Sequence, residues 1–214
     1  MKMLLTIFLI GFVVSVRVDG QTNSHLSTET SGQTVETIVC IRHGEKPPGG
    51  LGQLTCRGLN RALALPNVLL AKYGKPQFVF APNPTQKGDR NEKGAGNGYN
   101  YVRPLTTIEP TAIRCGLPVN TQFGLLEIKS LENELQKQEY KNATIFIAWE
   151  HVMLEKFVKN LLKTKGRDPA QVPSWPDNDY DTIFLIKITY SEGGELVAFT
   201  IDHEGLNHLS DTCP

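Results

Sequence analysis

Three short apolar runs stand out from an otherwise mixed chain: residues 38–41, which are rich in β-branched residues, 78–81 and 143–149. Each is continuous rather than alternating, and each is closed by Gly, Pro or a charged residue, as in strands buried on both faces. Between and after them, apolar residues recur at helical spacing. One helix is predicted from Thr55 as N-cap, carrying Leu59, Ala62 and Leu63, kinked or ended at Pro66, reaching Leu69 and Leu70 and stopped by Gly74. Others are predicted over residues 106–115, over 126–138 through Ile128, Leu131 and Leu135, and over 151–164 with Val152, Phe157, Val158, Leu161 and Leu162 facing inward. Residues 118–121 read as a short strand. Residues 182–190 and 196–201 flank Ser191-Glu192-Gly193-Gly194-Glu195, a hairpin signature. Strands alternating with helices before a closing hairpin predict an α/β three-layer sandwich. Its central sheet is mostly parallel, with helices on both faces and a C-terminal β-hairpin.

The first residues are not expected to belong to this fold. Lys2, the apolar run 4–16 and the small residues up to Gly20 have the layout of a secretory signal. That run is shorter than a membrane-spanning helix requires. The expected organisation is a signal peptide over 1–20, a polar spacer over 21–35 and one domain over 36–214. The protein is then secreted or periplasmic, with no stable membrane anchor after cleavage. Export permits disulfides among Cys40, Cys56, Cys115 and Cys213. Cys40 is expected in the core, and Cys115–Cys213 is the first pairing to expect. Paired Cys-x-x-Cys motifs are absent, so no metal site is expected. The 22 Lys and Arg balance the 22 Asp and Glu, so no overall basic field points to nucleic acid. Nothing in the chain reports its oligomeric state.

Local placement of charge carries the chemistry. Arg42, His43, Gly44 and Glu45 follow the first apolar run directly, at the strand end where open α/β sheets take ligands. A guanidinium offers a planar fork of donors to an anion, and imidazole can attack or shuttle protons. Gly44 permits a tight turn that would bring backbone N–H groups to the same anion. His151 stands at the equivalent end of the third run, where the start of a helix also favours anions. Residues 85–101 form a long polar loop with charges at Lys87, Asp89, Arg90, Glu92 and Lys93, a length that marks functional segments.

Taken in order, these features resemble the histidine phosphatase superfamily, the phosphoglycerate mutase-like fold. The resemblance rests on Arg42-His43-Gly44, the helix start Leu54-Thr55-Cys56-Arg57-Gly58, Arg103-Pro104-Leu105, Thr111-Ala112, and the junction Trp149-Glu150-His151. It covers roughly residues 36–203. It implies that His43 is the nucleophile and forms a phosphohistidine, with Arg42, Arg103 and His151 holding the phosphoryl oxygens. Arg90 is the alternative to Arg103. The proton donor is Glu127 by position, with Glu45, Glu150 or a donor from water or substrate as alternatives. Glu150, preceding His151 on a strand, is expected to point away from its neighbour and to support or orient the site. Val152 follows the second histidine where acid phosphatases and phytases carry Asp or Asn, placing the chain in the other branch. The implied activity is metal-independent and cofactor-free hydrolysis of phosphate monoesters, on a phosphorylated small molecule or a phosphoprotein. A phosphate-binding module on the same fold is the alternative, and a phosphomutase a lesser one. Specificity is expected from the 85–101 loop and from Lys46 and Arg57.

Overall fold

A computed structural model describes residues 33–48, 51–85 and 99–214. The expected signal segment, most of the spacer and most of the 85–101 loop, with Arg90, lie outside the described residues. Five strands form one sheet: β1 (Thr34–Arg42), β2 (Phe78–Phe80), β3 (Thr144–Trp149), β4 (Thr182–Ser191) and β5 (Gly194–His203). Their spatial order is β2-β3-β1-β4-β5. β1 and β2 each pair parallel with β3, β4 runs antiparallel to β1, and β5 returns antiparallel to β4. All strands but β4 therefore run the same way, and β4–β5 is the C-terminal hairpin.

Strand alternation sorts the apolar side chains into two layers. Val39 and Ile41 of β1 join Phe146 and Ala148 of β3 on one face, under α1 (Cys56–Tyr73) and α2 (Arg103–Cys115). Ile38, Cys40, Ile145, Ile147 and Trp149 face the other way, under α3 (Ile128–Glu134) and α4 (His151–Thr164). The three-layer α/β reading therefore holds. Burial pushes the Cys40 thiol well above its usual range. Trp175, from the loop before β4, reaches the core against Phe184, with ring centroids 4.3 Å apart.

Several elements differ from expectation for physical reasons. α1 continues through Pro66, because Leu65 and Leu69 are both fully buried. Their packing outweighs the hydrogen bond that proline cannot make. α2 starts at Arg103 rather than Thr106, with Pro104 in the first turn, where a missing N–H costs nothing. The predicted 126–138 helix ends at Glu134 and resumes only as a single 3₁₀ turn at Gln138–Tyr140. The short strand over 118–121 reduces to one bridge between Phe80 and Asn120.

The disulfide expectation is overturned. Cys56 pairs with Cys213, while Cys115 is a buried free thiol at the end of α2. The chain after β5 returns to the start of α1, where Asn60 Nδ2 donates to the Ser210 and Thr212 carbonyls at 2.9 and 2.8 Å. Arg57 meets Asp211 at 2.7 Å. These contacts bring Cys213 to Cys56, and they turn Arg57 toward the tail rather than toward a substrate.

Candidate active site

β1 delivers two buried functional groups in succession, Arg42 and His43, because its paired neighbours β3 and β4 cover it on both sides. The His43 N–H donates to the Trp149 carbonyl at 3.0 Å, extending the β1–β3 ladder by one residue. The next corner depends on two glycines. A Cβ on Gly44 would lie 2.9 Å from the Gly58 carbonyl oxygen, and one on Gly58 would lie 2.5 Å from that of Glu45. Gly44 thus serves close packing rather than a positive-φ turn. Its N–H donates to Thr107 Oγ1 at 2.9 Å instead of facing a ligand. Thr55 caps α1 as predicted, accepting from the Gly58 N–H at 3.1 Å.

His43 Nδ1 lies 2.7 Å from the Gly44 carbonyl oxygen. A carbonyl can only accept, so Nδ1 carries the proton and Nε2 keeps its lone pair. Burial, then Arg103 and Arg42, hold the imidazole well below the usual histidine range, and Lys46 adds to them. The ring lies between two cation–aromatic stacks: Arg42 is 4.1 Å from the Tyr180 ring centre, and Arg103 is 4.4 Å from that of Tyr101.

Each arginine is held at one part and open at another. Arg42 Nη1 donates to the carbonyls of Pro176, Asp177 and Asp179 at 3.1, 2.9 and 2.8 Å. Arg42 Nε and Nη2, and Arg103 Nε and Nη1, are buried without a hydrogen-bond partner among the described residues. Arg103 is positioned from its backbone: its N–H donates to the Gly52 carbonyl at 3.1 Å and its carbonyl accepts from Thr107 Oγ1 at 2.8 Å. Thr107 therefore ties the Gly44 corner to the Arg103 helix start.

His151 begins α4, and Glu150, just past the end of β3, is its N-cap and accepts from the Met153 N–H at 2.9 Å. Glu150 does not point away from its neighbour as a strand residue would. Its backbone has left the sheet, and Oε1 lies 2.5 Å from His151 Nδ1, a close polar contact off the line of a hydrogen bond. Burial opposes the charge on Glu150, but the His151 ring and the Val152 and Met153 N–H groups outweigh it and keep the carboxyl below its usual range. His151 Nε2 meets Asp177 Oδ1 at 2.9 Å.

The remaining predicted carboxylates stand elsewhere. Glu45 is joined to the buried Arg61 through both oxygens, at 2.8 and 3.0 Å. Arg61 also engages Glu204, whose carboxyl burial raises to about 8. Glu127 is exposed at the start of α3 and accepts from the Gly124 N–H at 2.6 Å. The structure thus brings Arg42, His43, Arg103, Glu150 and His151 to one strand edge, with Gly44 and Glu45 packed beside them. Tyr101, Tyr180, Thr107 and Asp177 were missed. Only an aromatic beside Arg103 and the acidic run 177–181 could have drawn notice. Among the described residues, no group of three or more His, Cys, Asp or Glu is placed to hold a metal.

No protein-family model matches the chain, and no curated protein matches it. Solved structures do. A mycobacterial glucosyl-3-phosphoglycerate phosphatase bound to inorganic phosphate is 14% identical, with a TM-score of 0.52 over 78% of this chain and 95% of that one. A Nakamurella multipartitia protein provisionally named phosphohistidine phosphatase SixA is 14% identical, with a TM-score of 0.50 over 79% and 96%. An Escherichia coli protein provisionally named alpha-ribazole-5'-P phosphatase is 13% identical, with a TM-score of 0.50 over 78% and 96%. This likeness and the strand order meet in one conclusion: the chain has the phosphoglycerate mutase-like fold.

Proposed function

We propose that this protein is a phosphatase that hydrolyses phosphate monoesters through a phosphohistidine on His43, without a metal or other cofactor. The observation that carries this reading is a neutral imidazole whose Nε2 keeps its lone pair, beside four buried guanidinium nitrogens that lack partners among the described residues. Buried donors of this kind are costly unless a ligand satisfies them. The three equatorial oxygens of a phosphoryl group need such donors as negative charge redistributes in transfer. Arg42 Nε and Nη2 with Arg103 Nε and Nη1 serve those oxygens, and His151 Nε2 lies at the neighbouring strand end. His43 Nε2 attacks phosphorus and the ester oxygen leaves. Water then hydrolyses the phosphohistidine and frees His43. The two arginine–tyrosine stacks hold the cations in place before substrate arrives.

Export belongs to the same proposal, and the Cys56–Cys213 disulfide supports it, since such bonds persist in oxidising compartments. N-terminal sequencing of protein recovered from an expressing cell's exterior or periplasm tests cleavage near Gly20. The activity itself is tested with 4-nitrophenyl phosphate. Release of phosphate should persist after exhaustive chelation, and acid-labile label should appear on His43. Phosphate binding without turnover would replace the enzyme reading with that of a binding module.

A further inference from the structure

The ester oxygen that leaves His43's target still needs a proton. From the site geometry we infer that Asp177, on the loop between α4 and β4, supplies it; this rests on the phosphatase reading.

Burial sets the direction in which the ester must point. Arg42, His43 and Arg103 are 0–1% exposed and form the floor, while His151 is 5% exposed and forms the wall. A phosphoryl group seated on the floor, attacked by His43 Nε2, presents its leaving oxygen outward. The proton donor must therefore stand at the rim and touch the wall. The Asp177 side chain is 83% exposed, and its Oδ1 lies 2.9 Å from His151 Nε2. The Asp177 carbonyl meanwhile anchors Arg42 Nη1 at 2.9 Å, so the loop that carries the acid is fixed to the cation that seats the phosphoryl group.

The other carboxylates near the site have different work. Both Glu45 oxygens are taken by Arg61 behind the corner. Glu150 caps α4 and lies on the far nitrogen of His151. Asp179 accepts from the Asp181 and Thr182 N–H groups and from the Thr182 hydroxyl, and Asp181 accepts from the Leu206 N–H. Glu127 accepts from the Gly124 N–H at the start of its own helix.

The His151 hydrogen bond and charge hold the Asp177 carboxyl below its usual range, and the 2.9 Å contact between Asp177 Oδ1 and His151 Nε2 places one proton between the two groups. During transfer the P–O bond breaks and its electron pair stays on the leaving oxygen. That oxygen takes a proton from Asp177, which draws it from His151 Nε2. The N–P bond to His43 forms, and the alcohol departs with the pair one proton short. In the second half, water attacks phosphorus, its proton returns to the Asp177–His151 pair, and the N–P electron pair returns to His43 Nε2.

The test uses the full chain and its Asp177→Asn, Asp177→Glu and Glu127→Gln variants, each first checked for an unchanged melting temperature. Substrates are glycerol 2-phosphate, with a basic leaving alkoxide, and 4-nitrophenyl phosphate, whose leaving group departs unaided. Inorganic phosphate serves as competitive inhibitor. For Asp177→Asn we expect kcat/KM on the alkyl ester to fall about 100-fold, and on the aryl ester less than about 3-fold. Phosphate should inhibit that variant more tightly, because a negative charge has left the rim. Asp177→Glu should recover part of the alkyl activity. An equal fall for both esters, no fall, or the leaving-group-dependent defect in Glu127→Gln instead would each overturn the assignment and leave the phosphatase reading standing. Wild-type protein that turns over neither ester would overturn both.

Discussion

The two strand ends of the site place the same side chain in opposite surroundings. His43 leaves β1 into a loop, has one nitrogen committed to a carbonyl, and is flanked by Arg42, Arg103 and Lys46. His151 leaves β3 directly into α4 and has a carboxylate at each ring nitrogen, Glu150 on one and Asp177 on the other. In the proposed reaction the first ring, kept neutral by burial and cations, is the one that attacks, whereas the second, with a carboxylate at each nitrogen, is placed beside the proton donor. The division of labour lies in the neighbours, since the residue type and the sheet edge are shared.

The contrast predicts unequal losses. His43→Ala should lower kcat/KM by at least about 10⁴-fold and abolish phosphohistidine labelling, because the covalent path is lost. His151→Ala should cost about 10²–10³-fold and keep the label, since charge stabilisation is lost but not the nucleophile. Equal losses, or label in His43→Ala, would erase the distinction.

Removing a cation from the first ring should make it more like the second. Arg103→Met is expected to lower kcat/KM by about 10²-fold. It should also displace the acid limb of the pH profile. Protonated His43 has no lone pair at Nε2, and the wild-type ring protonates only well below the usual histidine range. With one cation gone its proton affinity rises, so activity should fail at a higher pH on acidification. A limb that stays in place or moves down would contradict the electrostatic account.

The smallest effects separate packing from charge. Gly44→Ala should destabilise the protein by about 1–3 kcal/mol, because the new Cβ meets the Gly58 backbone at 2.9 Å. Glu150→Gln keeps an acceptor for the Met153 N–H, so stability should hold within about 0.5 kcal/mol while kcat falls several-fold. Thermal melts and steady-state kinetics on the two variants check both expectations.

How much of this was legible in the sequence depends on how local each cause is. β1, β3 and the limits of α4 follow from apolar runs and helical spacing, and His43 and His151 were placed by standing at the ends of those runs. The contacts that complete the site are not local. Arg42 bonds carbonyls 134, 135 and 137 residues away, and backbone carbonyls leave no mark in side-chain composition. Asp177 sits in Pro176-Asp177-Asn178-Asp179, which reads as an ordinary turn, and only the fold separates it from Asp179, whose carboxylate fastens the start of β4. The Cys56–Cys213 pairing was hidden for the same reason, since it depends on where the chain after β5 docks. Glu150 misled because one residue decides whether a side chain belongs to a strand or to a helix cap.

That disulfide has a mechanical consequence. It closes residues 56–213 into a covalent ring, with the two Cα atoms 4.5 Å apart. A load applied between residue 33 and Pro214 therefore runs along residues 33–56 and across the sulfur bridge, and every element from α1 to β5 lies off the line of force. The one strand that bears tension is β1, hydrogen-bonded to β3 on one side and β4 on the other. Pulling must shear both ladders together rather than peel an edge, and a single peptide cut anywhere between residues 86 and 98 leaves the two fragments covalently joined.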